Sequence, residues 1–194
     1  MWPESLPAQI QGIVIGGSSG ALEALNSLLP ALPSGFPASV FIVLHIPRDK
    51  PSMLAEIFAA KCALRVTEAE DKEPVEPGTV YFAPPDYHLL IERGPYLALS
   101  ADDPVNLSRP SIDVLFESAA DVYGRSLLGI ILSGASADGA AGLEAVRSAG
   151  GLTMVQDPRS ALMPFMTTAA LERGPADCVL PLEQMAALLR RIDR

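Results

Sequence analysis

A chain of 194 residues, 49% of them apolar, has the material for one domain with a sizeable core and is too apolar to stay disordered. No apolar run approaches the roughly 20 residues that span a bilayer. The start, Met1-Trp2-Pro3-Glu4-Ser5-Leu6, lacks the basic head and apolar centre of a signal peptide, so a cytoplasmic protein that is not membrane-embedded is expected. The net charge of −9, from 14 basic against 23 acidic residues, weighs against nucleic acid and anionic membranes as partners.

In chain order, apolar strand-like runs alternate with amphipathic helical ones. A strand over 12–16 is followed by a helix over about 20–32, with Leu22, Leu25, Leu28, Leu29 and Leu32 at three- and four-residue spacing. A strand over Ser39–His45 follows. Pro51 then opens a helix with Met53, Leu54, Ile57 and Phe58 on one face. A short run over 63–67 leads to a Pro- and turn-rich section, about 73–110. There Thr79–Ala83, Tyr87–Ile91 and Tyr96–Ser100 read as short strands, with Glu92-Arg93-Gly94-Pro95 as a hairpin turn. This section reads as an antiparallel insertion in an otherwise parallel fold.

Ser111 then has the character of an N-cap for a helix to about Tyr123, with Ile112, Leu115, Phe116 and Ala119 on one face. Leu127–Leu132 is continuously apolar, as a strand covered on both faces is. A helix from Gly139 closes at Gly150-Gly151. A strand over Leu152–Gln156, a helix over about 165–173, a strand over Cys178–Leu180 and a helix over Pro181–Ile192 complete the chain. The pattern predicts a single α/β domain over 1–194, with its core at about 11–192. Its architecture is a doubly wound, mostly parallel, Rossmann-like sheet with an antiparallel hairpin excursion.

Ligands of such sheets bind beyond the carboxyl ends of the strands, and three of those ends carry polar groups. The first strand runs into Gly16-Gly17-Ser18-Ser19-Gly20, a G-x-S-x-G turn between strand and helix that suits an exposed serine nucleophile. The second ends at His45, and the strand over Leu127–Leu132 runs into Ser133-Gly134-Ala135-Ser136-Ala137-Asp138-Gly139. Ser18, His45 and Asp138 are therefore candidates for nucleophile, base and orienting acid of an acyl-transfer triad. The competing reading of the glycine turn is phosphate binding at a helix N-terminus. It lacks G-x-G-x-x-G and Gly-Lys-Ser/Thr, and His45 stands where an acidic ribose ligand belongs.

Each residue also has a plain structural role open to it. His45 can be a structural histidine, and Asp138 can cap the helix that starts at Gly139. Ser19, Ser133 and Ser136 read as turn or capping hydroxyls. His88, inside the hairpin, is the weaker base. Cys62 and Cys178 read as reduced, half-buried thiols, and two His with two scattered Cys give no metal constellation. No cofactor is called for, since a serine triad works without one.

Four stretches resemble the catalytic domain of the CheB-type chemotaxis methylesterases, the protein-glutamate methylesterases. They are Ile15-Gly16-Gly17-Ser18-Ser19-Gly20, Val43-Leu44-His45-Ile46-Pro47, Arg109-Pro110-Ser111-Ile112-Asp113-Val114-Leu115-Phe116 and Gly134-Ala135-Ser136-Ala137-Asp138-Gly139-Ala140-Ala141-Gly142. Tyr81-Phe82-Ala83-Pro84-Pro85-Asp86-Tyr87-His88 resembles that family's hairpin segment. The resemblance implies hydrolysis of glutamyl methyl esters on chemoreceptor cytoplasmic helices, releasing methanol, often with glutamine deamidation. It places the family's serine, histidine and aspartate at Ser18, His45 and Asp138. Methylated receptor helices are the implied partners, and a separate regulator protein is a further candidate. The family's receiver domain is not expected ahead of the first strand, so phosphorylation in cis is not expected either. Ala135 and the segment 156–164 depart from the family pattern. Arg48, Lys50 and Arg109 are candidates to hold acidic receptor helices, or are ordinary surface charges. The alternatives to this reading are a serine esterase with another acyl substrate and a non-catalytic scaffold.

Overall fold

Strand β1 (Gly12–Gly17) is buried along its whole length and lies at the centre of the sheet in the computed structural model, which describes residues 10–47 and 51–192. It pairs in parallel with β2 (Ser39–Leu44) on one side and with β7 (Leu127–Ile131) on the other. Beyond β2 lie β4 (Thr79–Phe82) and the edge strand β3 (Arg65–Glu68); beyond β7 lie β8 (Leu152–Gln156) and the short edge strand β9 (Cys178–Leu180). The order β3-β4-β2-β1-β7-β8-β9 is parallel throughout. The chain leaves β1 toward one edge and returns past it toward the other. The sheet's switch point, where ligands of doubly wound folds bind, thus lies at β1.

Each central strand sends alternate side chains into two different cores, which explains their unbroken apolar character. Ile13, Ile15, Val40, Ile42 and Leu44 join the core beneath α1 (Ala21–Leu28), α2 (Leu54–Ala59) and α6 (Leu182–Leu189). Val14, Phe41 and Val43 join the core beneath α3 (Ile112–Tyr123), α4 (Ala140–Ser148) and α5 (Phe165–Arg173). The hairpin of β5 (His88–Glu92) and β6 (Tyr96–Ser100) packs Leu89, Ile91 and Leu97 into this second core.

The predicted doubly wound sheet and hairpin are present, with three adjustments. The section read as a three-strand insertion is divided: β4 is an interior strand of the parallel sheet, and only β5 and β6 form the antiparallel excursion. Thr79-Val80-Tyr81-Phe82 is buried on both faces, and so belongs inside the sheet. Helix α2 starts at Leu54 rather than at Pro51, and only its Leu54 and Phe58 are buried, while Ile57, and Met53 just ahead of the helix, are exposed. The helix after β1 narrows at Pro30 to a single 3-10 turn, Leu29–Ala31.

Candidate active site

The turn that carries Ser18 is shaped by glycine. Gly20, the residue before α1, has φ +85, and a Cβ there would lie 2.7 Å from both Leu162 Cβ and Ser133 Oγ. The Ser18 N–H donates to Ser133 O (2.9 Å), tying the turn to the loop after β7. The Ser133 hydroxyl donates to Ser19 O (2.7 Å) and accepts from the Met163 N–H (2.9 Å), so one side chain braces the serine turn against the loop after β8. The N–H groups of Ser19 and Gly20 have no acceptor among the described residues. They lie at the positive end of α1.

His45 follows β2 as Ser18 follows β1. Gly17 and Leu44 are paired in register, and the His45 N–H donates to Gly17 O (3.2 Å). Ser18 and His45 are therefore the next positions of adjacent parallel strands, about 4.8 Å apart across the ladder. The His45 ring bonds Asp138 through Nε2 at 2.8 Å. That bond makes Nε2 the protonated nitrogen of the neutral ring and leaves Nδ1 as its base.

Asp138 is fully buried, and its carboxylate is saturated. Oδ2 accepts from His45 Nε2 and from the Ile112 N–H (2.6 Å). Oδ1 accepts from Ser111 Oγ (2.8 Å), Asn106 Nδ2 (2.8 Å) and, at longer range, the Asp113 N–H (3.3 Å). Burial alone pushes this carboxyl up; the bonds from His45, Asn106, Ile112 and Ser111 outweigh it and hold the group below the usual carboxylate range. Asp138 is thus an anion ready to stabilise an imidazolium.

The three residues singled out from sequence therefore converge on one end of the sheet, at the switch point. A family model described as CheB methylesterase matches residues 13–189. The chain belongs to the CheB methylesterase family. A crystal structure of the Thermotoga maritima CheB methylesterase catalytic domain superposes with a TM-score of 0.90 at 34% identity, covering 94% of this chain and 98% of that one. A protein of Leptospira interrogans is 45% identical over 184 residues, 95% of either chain. A protein-glutamate methylesterase/protein-glutamine glutaminase of Bordetella parapertussis is 41% identical over 178 residues, which are 90% of this chain and 51% of that relative. The CheB catalytic-domain architecture is the one described above.

Within this CheB fold, two sequence-derived roles change. Asp138 does not cap the helix that follows it; it accepts from the first N–H groups of α3 instead. Ser111 holds the N-cap position of α3, yet its hydroxyl bonds Asp138 rather than its own helix. The cap of α4 comes from Asp113, whose Oδ1 accepts from the N–H groups of Gly139 (3.0 Å) and Gly142 (2.6 Å). Burial raises the Asp113 carboxyl; the Gly142 N–H lowers it, and the nearby Asp138 charge adds to the rise.

Arg109 reaches the cleft beside His45 but is already engaged, with Asp86 (2.9 Å) and the carbonyls of Ala101 and Asp102. Arg48 and Lys50 lie outside the described residues. His88 is buried; its ring bonds Asp103 O and accepts from the Ser111 N–H (3.1 Å), which places it behind the site. Cys62 and Cys178 are both free thiols, pushed up by burial. The sequence reading passed over Asn106 and Asp113. The signal for Asp113 was its first-turn position in α3; a lone asparagine in a loop carries none.

Proposed function

We propose that this chain hydrolyses glutamyl methyl esters on the cytoplasmic helices of chemoreceptors, with Ser18 as nucleophile, His45 as base and Asp138 as orienting acid. The observation that carries the roles is the His45–Asp138 bond of 2.8 Å, set beside Ser18 by the β1–β2 register. The membership in the CheB methylesterase family supports the substrate class.

Ser18 Oγ attacks the ester carbonyl carbon while its proton passes to His45 Nδ1. The imidazolium is stabilised through its Nε2–H by the buried Asp138 anion. The developing oxyanion has the N–H groups of Ser19 and Gly20 and the positive end of α1 for partners. As the tetrahedral intermediate collapses, the bond to the methoxy oxygen breaks and His45 gives that oxygen its proton, releasing methanol. A water then attacks the acyl-serine, again losing its proton to His45, and glutamate and Ser18 are restored. A glutamine substrate passes through the same acyl-serine with ammonia as the leaving group.

The partners of this reading are methylated receptor helices and, as a second candidate, a separate regulator protein. The compartment is the cytoplasm, where those helices lie. Among the described residues no helix is long and apolar enough to cross a membrane. The test pairs a serine-directed fluorophosphonate probe with methanol release from methylated receptor. Labelling that survives Ser18→Ala sinks the nucleophile assignment. Labelling lost in Ser18→Ala without methanol release from the native chain moves the substrate to another acyl group.

A further inference from the structure

Val105-Asn106-Leu107-Ser108 forms a two-residue turn, closed by the Val105 N–H to Ser108 O (3.1 Å) and the Ser108 N–H to Val105 O (2.9 Å). Both central residues are left-handed, with φ +52 at Asn106 and +62 at Leu107. Asparagine tolerates that conformation; a leucine there is strained. The strained residue is 95% exposed and lines the cleft that also holds His45 and Ile46.

The same turn aims the Asn106 amide inward, where Nδ2 donates to Asp113 Oδ2 (2.7 Å) and Asp138 Oδ1 (2.8 Å). Two carboxylates are acceptors only, so the NH₂ end of the amide must face them, and each of its two hydrogens serves one. Without that amide the Asp113 and Asp138 charges would face each other in a buried site, and Asp138 Oδ1 would keep only Ser111 and a long bond to the Asp113 N–H.

We infer that Asn106 is a positioning residue for the catalytic pair, fixing the Asp138 carboxylate so that Oδ2 stays on His45 Nε2. It touches no reacting atom and acts through Asp138. The inference rests on the assignment of His45 and Asp138 proposed above. Because Leu107 adjoins Asn106, the segment that fixes the acid also walls the cleft.

The test uses Asn106→Gly, which removes the amide and keeps a residue suited to φ +52. Three readouts apply, all taken below the variant's unfolding midpoint. The expected results are fluorophosphonate labelling of Ser18 slowed about tenfold or more, since a hydrogen bond to a charged group is lost, KM for methylated receptor within about twofold of native, and a moved proton NMR resonance of the His45 ring N–H. Labelling within about twofold of native, or an unmoved resonance, overturns the inference. If Asn106→Gly fails to fold, Asn106→Asp replaces the donor with an acceptor and is held to the same outcomes. Failure of the native chain to label at Ser18 would instead count against the proposed function, and the NMR resonance would still decide the role of Asn106.

Discussion

Asp113 and Asp138 exchange caps: each carboxylate accepts N–H groups at the start of the helix to which the other is adjacent. Asp138, just ahead of α4, takes the N–H of Ile112 at the start of α3. Asp113, in the first turn of α3, takes those of Gly139 and Gly142 at the start of α4. The exchange locks two neighbouring helices together and leaves Asp113 Oδ2 and Asp138 Oδ1 for the Asn106 amide, while Asp138 Oδ2 serves the Ile112 N–H and His45 together. Asp138 therefore has a structural role beside the catalytic one proposed for it. Asp138→Asn is expected to lower kcat by about 10⁴-fold, because an amide cannot hold the imidazole tautomer. It should also destabilise the fold by roughly 1–3 kcal/mol, because an NH₂ group replaces one buried acceptor. Steady-state kinetics and urea unfolding on the same variant read the two effects separately.

The pair also sets opposite pH dependences. Asp138 is held below its unfolded-state pKa of about 3.9. Its contribution is present above that value and lost as pH falls through the lower folded-state pKa. Asp113 is raised, so its contribution is present below about 3.9 and lost as pH rises through its higher folded-state pKa. The pair's joint contribution to stability thus peaks near pH 4, to the order of these values. Urea midpoints measured across pH should lose their acid-side rise in Asp138→Asn and their fall above about pH 4 in Asp113→Asn. Unchanged slopes in either variant would contradict the assignment.

Ser18 and His45 occupy matching positions on adjacent strands, and members of such a set act as a unit. Ser18→Ala and His45→Ala should each cut kcat by roughly 10³-fold or more, and the double variant should be little worse than either single one. Ser18→Ala should fold as the native chain does; His45→Ala takes one bond from the buried Asp138 carboxylate, so thermal unfolding of that variant is compared with native before its rate is read. A His45→Ala variant that kept most of the rate would place the base elsewhere.

The order of strands and helices was legible because each central strand is apolar on both faces and each helix carries one apolar stripe. The Ser18 turn and the His45 strand end were legible for a local reason: glycine spacing and an abrupt polar residue after an apolar run. The membership of β4 in the main sheet was not, because four apolar residues between turns read the same in a hairpin as in a parallel strand. Nor was the cap exchange. A carboxylate just ahead of a helix is locally indistinguishable from that helix's own cap, and only the packing of α3 on α4 decides which N–H groups it meets. Asn106 lay deepest, since its partners, Asp113 and Asp138, are brought to it by tertiary structure alone.

Gly20 has to be glycine for two reasons, its φ of +85 and the crowding of its missing Cβ by Leu162 and by the hydroxyl of Ser133. Ser133 Oγ is the brace of the serine turn, so displacing it moves Ser18. Gly20→Ala is expected to cost about 1–3 kcal/mol in stability and to slow probe labelling of Ser18 even where the protein is folded. Thermal unfolding and labelling rates measured on one preparation separate the two.

Leu162, Met163 and Phe165 are exposed apolar side chains on the segment that Gly134 and Ser133 tie to the serine turn. Leu22, two residues beyond Gly20 in the first turn of α1, adds a fourth exposed apolar side chain. Single exposed apolar residues are ordinary, but a group of them beside the Ser18 turn is a surface suited to an apolar substrate face. The ester itself is small, so the rim should act on binding of the carrier helix rather than on chemistry. Leu162→Ser together with Phe165→Ser should raise KM for methylated receptor about tenfold, the equivalent of roughly 1.4 kcal/mol of lost burial. The value of kcat, and the labelling of Ser18 by a small fluorophosphonate, should stay within about twofold of native. A fall in labelling would show instead that these side chains hold the serine turn in shape, and an unchanged KM would place the receptor on another face.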